Sequence, residues 1–181
     1  MDLKEKDLIE RVLGGDTAAF EPLVLPYRRP LFGLAYRMSG NREDALEIGQ
    51  EALLRAFRYL GRCDLERGFR NWLYQILVNA ARDAGRKRGR EAVWRSDDPL
   101  PEAATAEGPG PEDARDRSEV RERIMVALDV LSAREREVFL LRDIEELSVA
   151  EAARALGCSS VAVRVHLSRA RVKLRERMAR S

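Results

Sequence analysis

The chain has 181 residues, of which 35% are charged and only 6% are aromatic, and its formal net charge is +2. This composition suits one helical domain or two small ones with modest cores, and few stretches alternate as a half-buried strand would. No apolar run approaches the ~18 residues of a membrane-spanning helix. The acidic N-terminus also lacks the pattern of a signal peptide. We therefore expect no membrane insertion.

Cysteine and histidine are too few to build a metal site or a disulfide framework. Cys63 and Cys158 lie far apart, and His166 is the single histidine. Without a Cys-x-x-Cys pair, a reduced and cytoplasmic chain is the expectation. The chain also lacks a Gly-rich phosphate loop and a pair of carboxylates in an apolar setting. We therefore expect no metal, no cofactor and no enzymatic activity.

The first third of the chain predicts two helices and a break. Residues 2–13 have the apolar spacing of a short amphipathic helix, and Asp16 is the expected N-cap of the next one. Pro26 and Pro30 fall inside that second helix, where proline removes a hydrogen bond and clashes with the preceding turn. We expect a kink there or two shorter helices. Residues 39–41, Ser-Gly-Asn, then interrupt the pattern, with the asparagine as the next N-cap.

Residues 43–60 predict a third helix with two distinct faces. Its expected core positions are Ala45, Ile48, Ala52, Phe57 and Leu60. Its outer face combines acids, an amide and one arginine, namely Asp44, Glu47, Gln50, Glu51 and Arg55. Such a face is either solvated or a docking surface, and the helix alone does not decide between them. Residues 61–68 are predicted to form a loop.

Residues 69–88 predict a fourth helix that ends in a basic cluster. Arg82, Arg86 and Lys87 contribute to this cluster. Aromatic rings beside basic residues are typical of sites that bind single-stranded nucleic acid. Phe69, Trp72 and Tyr74 therefore either pack inside or stack on bases, and we expect at least one of the three to contact nucleic acid.

Residues 91–117 predict a flexible acidic linker. They contain four prolines, with 3 basic and 8 acidic residues, against 17 and 13 in residues 1–90 and 13 and 10 in residues 118–181. A segment of this composition buries too little apolar surface to fold alone. We therefore predict an all-α fold of two small helical domains, an N-terminal helical bundle over 1–90 and a C-terminal domain over 118–181. The second domain begins with a helix over 118–131.

The C-terminal domain has the pattern of a helix-turn-helix. Ser132 and Ser148 are each followed three residues later by glutamate, which is the sequence of a capping box. Gly157 suits the left-handed turn that ends a helix, and Ser159 suits the next N-cap. From Arg164 to Arg180 there are seven basic residues and one acid. The second helix of such a unit normally lies in the DNA major groove.

Taken together, these segments resemble the extracytoplasmic-function (ECF) sigma factors of bacteria over nearly the whole chain except the linker. DALEIGQEALLRAF, residues 44–57, is similar to the family's helix that docks on the clamp helices of the β′ subunit of core RNA polymerase. FRNWLYQILVNAARD, residues 69–83, is similar to the segment that melts and reads the −10 promoter element. The helix-turn-helix is similar to the family's reader of the −35 element.

The resemblance implies a role for each matching position. It assigns polymerase docking to Asp44, Glu47, Gln50, Glu51 and Arg55. It places near the −10 element Asp64, Arg67, Arg70, Trp72, Asn79, Arg82, Arg86 and Lys87. It places near the −35 element Ser159, Ser160, Arg164, Val165, His166, Arg169 and Arg171. The implied partners are core RNA polymerase, promoter DNA and an anti-sigma factor, and the implied place is the cytoplasm, on the nucleoid when bound to polymerase.

Two other interpretations remain open at this stage. The helix-turn-helix also resembles the output domain of response regulators, in which a histidine occurs at the position of His166. A stand-alone regulator of that type would carry a receiver domain of alternating strands and helices, whereas residues 1–90 predict helices only. A helical adaptor without DNA binding is the other alternative, and the two basic blocks disfavour it. The recognition helix also departs from the family, with VAVRVH at residues 161–166 where Gly-Thr-Val-Lys-Ser-Arg is usual.

Overall fold

The structure, a computed structural model, describes residues 3–66, 68–94 and 124–179. Within these ranges the chain is helical and contains no strand, so the prediction of an all-α fold is confirmed. Two groups of helices form, which we call the N-terminal bundle (residues 3–94) and the C-terminal bundle (residues 124–179). Most of the predicted linker lies outside the described residues, as do Arg67 and residues 118–123 of the helix predicted over 118–131.

The N-terminal bundle opens with α1, Leu3–Leu13, as predicted. Asp16 was expected to cap the next helix, but its side chain makes no capping hydrogen bond. Its carboxylate instead accepts hydrogen bonds from the guanidinium of Arg11, at 2.7 Å from Nη2. A short 3-10 turn, Thr17–Ala19, then leads into the second helix. The Asp16 side chain therefore forms an ion pair with Arg11 and does not cap the helix.

The second helix, α2, is continuous over Phe20–Ser39, so the expected alternative of two shorter helices is wrong. Pro26 and Pro30 are both exposed. On the solvent side of a helix, water can satisfy the carbonyls that proline leaves without a partner. The opposite face buries Leu23, Leu31 and Leu34, and that burial offsets the cost of the prolines.

The third helix, α3, covers Arg42–Arg58 and begins at the predicted cap. Asn41 Oδ1 accepts a hydrogen bond from the Asp44 backbone N–H at 2.8 Å, directly after Gly40 ends α2 with a φ of 87°. The buried face of α3 is formed by Ala45, Ile48, Ala52 and Ala56. Phe57 does not belong to this face, contrary to expectation, because it is 43% exposed.

The fourth helix, α4, covers Phe69–Trp94. It is longer than the predicted 69–88 and continues four residues into the segment that the sequence analysis assigns to the linker. Phe69, Leu73, Tyr74 and Leu77 of this helix are almost fully buried. Helix α4 packs against α2 and α3 on one side and against the C-terminal bundle on another.

The C-terminal bundle consists of a helical turn at 124–128 followed by α5 (Ala133–Phe139), α6 (Val149–Leu156) and α7 (Ser160–Met178). Both predicted capping boxes are present, at Ser132 with Glu135 and at Ser148 with Glu151. Gly157 has the predicted left-handed conformation, with a φ of 61°. Because glycine has no Cβ, it adopts this conformation at little steric cost, so the chain can reverse between α6 and α7.

One backbone feature was not predicted by periodicity. Leu140–Ile144 forms a π-helical turn directly after α5, closed by a hydrogen bond of 2.9 Å from Glu145 N–H to Leu140 O. Glu146, the next residue, has a positive φ of 57°. Such turns are rare and occur frequently at functional sites. This one places Glu145 against the N-terminal bundle.

Candidate nucleic-acid and docking surfaces

Helix α7 presents a continuous exposed face. Its core side buries Val163, Leu167 and Ala170. The exposed face, which we call the α7 face, combines three arginine or serine side chains with three valines: Val161, Arg164, Val165, Ser168, Arg169 and Val172. Guanidinium groups bind phosphate and guanine edges, and apolar groups contact thymine methyls. The face therefore has the chemistry of a major-groove reader.

The start of α7 is fixed by the residues predicted for it. Ser159 Oγ accepts a hydrogen bond from Ala162 N–H at 3.1 Å and so caps the helix. Arg154 and Ser160 line the groove beside Gly157. The N-terminus of a helix is a favourable position for anions because its N–H groups and dipole point outwards. A DNA phosphate at this end would therefore meet both backbone and side-chain donors.

Two of the predicted −35 residues, Arg171 and His166, are not part of the α7 face. Arg171 forms two hydrogen bonds to the carboxylate of Asp143, at 2.8 and 2.7 Å, and so ties α7 to the π-helical turn. His166 is half-buried, and its Nδ1 is buried without a hydrogen-bond partner among the described residues. The exposed Val161 was not among the predicted −35 residues, although it lies four residues before Val165 on the same face.

Helix α4 carries the residues predicted for the −10 element. Asn79, Arg86 and Lys87 are exposed on it. Asp64 lies in the preceding loop, where its Oδ1 accepts a hydrogen bond from Glu66 N–H at 3.1 Å. Arg67 lies outside the described residues. The structure therefore leaves an exposed stretch at the basic end of α4, as the sequence predicts.

The aromatic residues of α4 are mostly packed inside. Phe69 and Tyr74 are at most 2% exposed, so neither ring is available to stack on a base. Trp72 is half-buried and packs against Phe69 with a ring-centre distance of 6.0 Å. The expectation of a stacking ring therefore rests on Trp72 alone. Its contact with Phe69 agrees with the bracing role that the resemblance gives it.

Arg82 is half-buried and Arg70 is exposed, and both contact the C-terminal bundle. Arg82 Nε and Nη2 donate to the two carboxylate oxygens of Glu137, each at 2.7 Å. Arg70 Nη2 donates to the backbone carbonyl of Glu145 at 2.5 Å. Both arginines were predicted to lie near promoter DNA. In this arrangement Nε, Nη1 and Nη2 of Arg82 all donate to protein oxygens, whereas Arg70 uses Nη2.

The predicted docking residues of α3 fall into two groups. Glu47 and Gln50 are exposed. Arg55 instead forms hydrogen bonds of 2.6 Å to Glu51 and 2.7 Å to Asp83 of α4. Asp44 takes part in the capping of the helix through its backbone N–H. Within the predicted set, Glu47 and Gln50 are therefore the most accessible, and Arg55 also braces α3 against α4.

An apolar groove next to Gln50 was missed by the sequence analysis. It has a volume of about 700 Å³ and is lined by Phe20, Leu53, Leu54 and Phe57 together with Thr17, Ala18, Glu21 and Gln50. Leu54 is 60% exposed and Phe57 43% exposed. The sequence analysis assigned Phe57 to the core, although it directly follows Ala56 of the buried face, and it assigned Leu54 to neither face.

Several pKa shifts follow from these contacts. The hydrogen bond from Arg55 lowers the pKa of Asp83, with burial opposing and Arg86 adding to the effect. Burial raises the pKa of the Tyr74 phenol, and its hydrogen bond to Glu145 raises it further. The Tyr74 hydroxyl therefore stays protonated and donates a hydrogen bond to the Glu145 carboxylate. Burial also raises the pKa of the Cys63 thiol to about 11, so this thiol is uncharged near neutrality.

The described ranges contain neither a metal-binding cluster nor a membrane-spanning helix. No group of three His, Cys, Asp or Glu side chains there is placed to hold a metal ion. Within the same ranges, no helix combines the length and the apolar composition that crossing a bilayer requires.

The fold and the surfaces together define a helical DNA-binding protein with a C-terminal helix-turn-helix. Family profiles identify both halves: residues 23–91 match Sigma-70 region 2, and residues 121–174 match Sigma-70, region 4. With the full-length relatives described next, these matches show that the chain belongs to the ECF group of RNA polymerase sigma factors. The resemblance stated from the sequence is confirmed.

Among curated relatives, the RNA polymerase sigma-H factor of Pseudomonas aeruginosa is 33% identical over 175 residues, covering 93% of this chain and 90% of the relative. The ECF RNA polymerase sigma factor SigW of Bacillus subtilis is 32% identical over 184 residues, covering 98% of each. These relatives are sigma factors over their whole length, so the interpretation as a stand-alone regulator is not favoured.

Two solved structures are similar to this one over both bundles. CnrH in complex with the cytosolic domain of CnrY has a TM-score of 0.74 and 26% identity, covering 98% of this chain and 99% of the other. The sigma factor RpoE in complex with the anti-sigma factor NepR from Bartonella quintana has a TM-score of 0.72 and 27% identity, covering 87% and 94%.

Proposed function

We propose that this sigma factor directs core RNA polymerase to promoters by reading two DNA elements with two bundles. The domain covering residues 1–90 docks on the polymerase and engages the −10 element. The domain covering residues 118–181 reads the −35 element, and residues 91–117 connect the two. The observation that supports this most directly is the α7 face, an exposed stripe of arginine, serine and valine on the second helix of a helix-turn-helix.

In the −35 complex, α7 enters the major groove with the α7 face towards the bases. Arg164 and Val165 lie near the N-terminal end of the helix, the end that contacts base edges in such units. Arg169 lies one turn further along and contacts phosphate. Phosphate contacts fix the position of the protein, while base contacts provide the selectivity. The valines, in place of the family's more polar residues, favour contacts to thymine methyl groups.

In the −10 complex, the basic end of α4 follows the DNA backbone while the loop before α4 accepts an extruded base. By the family resemblance, Asn79 and the loop from Asp64 to Arg70 lie near that base, and Trp72 braces the helix. Taking a base out of the stack costs a few kcal/mol. Phosphate contacts from Arg86, Lys87 and their neighbours supply the compensating attraction, which weakens as salt is added.

Polymerase docking uses the exposed part of α3. Glu47 and Gln50 present a carboxylate and an amide beside the apolar groove formed by Leu54 and Phe57. Aromatic and aliphatic anchors surrounded by polar groups are the usual composition of a protein interface. We infer that the groove extends the docking surface that the resemblance assigns to α3. The partner is the clamp-helix segment of the β′ subunit.

The same proposal covers regulation, location and chemistry. Because the sigma factor RpoE described above is in complex with the anti-sigma factor NepR, we propose that an anti-sigma factor also holds this chain. It acts in the cytoplasm, on the nucleoid when bound to polymerase. It catalyses no bond-making step itself, since its contribution is binding, placement and strand opening.

The test is a binding titration on fork-junction promoter DNA selected from the native host, with and without core RNA polymerase. We expect tight and selective binding only with the core enzyme. Gln50→Ala together with Glu47→Ala should weaken assembly about tenfold or more, because both lie in the docking surface. Glu10→Gln, an exposed acid on α1, is the matched control and should bind core enzyme normally.

The opposite result would be equally clear. If the chain alone bound the same DNA with full selectivity, and core enzyme changed nothing, the protein would be a stand-alone regulator. If neither DNA nor core enzyme bound, the helical adaptor would be the better description.

A further inference from the structure

The two bundles meet along one side of α4, and the contact is built from charged and polar pairs. Arg37, Arg70, Tyr74 and Arg82 come from the N-terminal bundle, and the acids that face them come from the C-terminal bundle. Asn71 Nδ2 also donates to Glu151 Oε1 at 2.6 Å. We call this contact the interdomain clamp. It joins residues at least 55 positions apart in sequence.

The first half of the clamp is the pair of Arg82 and Glu137. Two parallel hydrogen bonds of 2.7 Å join the guanidinium to both carboxylate oxygens. The side chains are only 23% and 11% exposed. Arg82 Nη1 also donates to the carbonyl of Leu156 at 3.3 Å, at the end of α6. Bidentate, partly buried pairs of this kind are among the stronger polar contacts in proteins.

The second half is centred on Glu145, which is 8% exposed. Its carboxylate accepts a hydrogen bond of 2.5 Å from the Tyr74 hydroxyl and lies 3.8 Å from Arg37 Nη1. Its backbone carbonyl accepts from Arg70. A buried carboxylate is costly unless it is paired and hydrogen-bonded, and here all its described partners belong to the other bundle.

The backbone that carries Glu145 is itself unusual. The π-helical turn ends immediately before Glu145, and Glu146 has a positive φ. A non-glycine residue in this conformation is strained and persists only where the surroundings enforce it. The C-terminal bundle thus contains a strained loop, and the carboxylate of Glu145 in this loop contacts Tyr74 of α4 and Arg37 of α2.

The clamp covers one DNA surface and leaves the other open. Arg70 and Arg82, which the resemblance places near the −10 element, both donate to protein oxygens, Arg82 through Nε, Nη1 and Nη2 and the exposed Arg70 through Nη2. The α7 face lies on a different helix, which packs against α5 and α6 rather than α4. A carboxylate and a phosphate offer an arginine the same planar arrangement of oxygens. The acids of the clamp therefore stand where DNA phosphates would bind.

We propose that the interdomain clamp is an autoinhibitory contact, in which Glu137 and Glu145 hold the free protein closed and keep α4 from the −10 element. The inference rests on the proposed function and names a regulation of the same site. Contacts between domains are commonly polar enough to open. Opening separates the bundles and releases Arg70 and Arg82 for DNA. If DNA binds only the open state, its apparent affinity is the intrinsic affinity multiplied by the fraction of molecules that are open.

The test compares Glu137→Arg with Asp129→Arg. Both variants change the charge equally in the same bundle, but Asp129 pairs with Arg136 and not with α4. Glu137→Arg places a guanidinium opposite Arg82, so X-ray scattering should show a larger radius of gyration for it alone. Fluorescence anisotropy with the −10 strand of the selected promoter should show about tenfold tighter binding for Glu137→Arg. Binding to a duplex carrying only the −35 element should match that of the control.

Two further variants separate opening from misfolding. Arg82→Glu combined with Glu137→Arg reverses the pair and should restore the compact radius of gyration. Glu145→Gln removes one charge with little change in shape and should open the protein partially. If Glu137→Arg kept the compact radius, or opened without gaining affinity for the −10 strand, the clamp would be structural only and the proposal would be wrong.

Run-off transcription with saturating core polymerase distinguishes this failure from failure of the proposed function. The wild-type chain should initiate at the selected promoter, and Glu137→Arg should match it there, because saturating core enzyme selects the open state. Transcription by all variants without any difference in free-state affinity would refute the clamp alone. No transcription by wild type or variants would refute the proposed function.

Discussion

Replacing Arg55 with alanine should separate a structural role from a docking role on α3. The guanidinium donates to Glu51 at 2.6 Å and to Asp83 at 2.7 Å, so it joins α3 to α4. Arg55→Ala removes both hydrogen bonds and leaves Asp83 with Arg86 as its remaining described ion-pair partner. If bracing is the main role, stability should fall first, and polymerase binding should fall only as far as Glu51 loses its orientation.

The magnitude follows from exposure. Hydrogen bonds to charged groups contribute about 1.5–3 kcal/mol when they are buried, whereas exposed ion pairs contribute about 0.2–1 kcal/mol. Arg55 is 30% exposed and its two partners 45% and 43%, which places the sum for both contacts at about 1–2 kcal/mol. For a small domain, this corresponds to a decrease in Tm of about 5–10 °C.

The assay is thermal unfolding followed by circular dichroism, together with a titration against core polymerase. Arg58→Ala, an exposed arginine on the same helix, is the control and should shift Tm by no more than about 2 °C. The pKa of Asp83, which Arg55 lowers, should rise in Arg55→Ala when measured by NMR titration. An unchanged Tm with lost polymerase binding would refute the bracing role and make Arg55 a docking residue.

Three further predictions concern the C-terminal bundle. Gly157→Ala should lower the free energy of unfolding in urea by about 1 kcal/mol, because φ is +61° there. A Cβ at this position meets nothing within 4 Å, and asparagine tolerates the left-handed conformation, so Gly157→Asn should recover most of the loss. Ser148→Ala should cost about 1 kcal/mol through loss of the cap, whereas Ser168→Ala should not. Lys173 lowers the pKa of Glu135 below its usual 4.5. The ionised Glu135 therefore stabilises the fold above that pH, and this stabilisation is lost as acidification protonates it. Glu135→Gln should flatten the fall in stability between about pH 5 and pH 3.

Local signals in the sequence predicted much of the fold. Each capping box needs only a serine and a glutamate three residues apart, and both of these formed, at Ser132 and Ser148. The turn at Gly157 needs only a residue without a Cβ. These devices act within one helical turn and hardly depend on the rest of the chain. The helix starts at Ser132, Ser148 and Ser159 were therefore predictable from short stretches.

The errors occurred where distant packing decides. Pro26 and Pro30 predicted a kink or two shorter helices, and the second alternative is wrong because α2 is continuous, with its opposite face buried. Phe57 was assigned to the core by its type, although the buried face of α3 passes through Ala56. The π-helical turn at Leu140–Ile144 has no sequence signature of its own. In each case the outcome depends on neighbours that are far away in sequence.

The charged residues show the limit of sequence reasoning most clearly. Arg82 lies in a basic cluster, and a basic cluster favours nucleic acid whether or not an acid elsewhere in the chain can reach it. Glu137, its partner, is itself part of an ordinary helical pattern 55 residues later. Arginine binds a carboxylate and a phosphate with the same two donors. The assignment of Arg82 to DNA stays a prediction that the observed ion pair does not contradict, because under the proposed clamp the two describe one side chain in two states. Whether the bundles are together or apart decides which state is populated, and that balance depends on the clamp as a whole rather than on any motif.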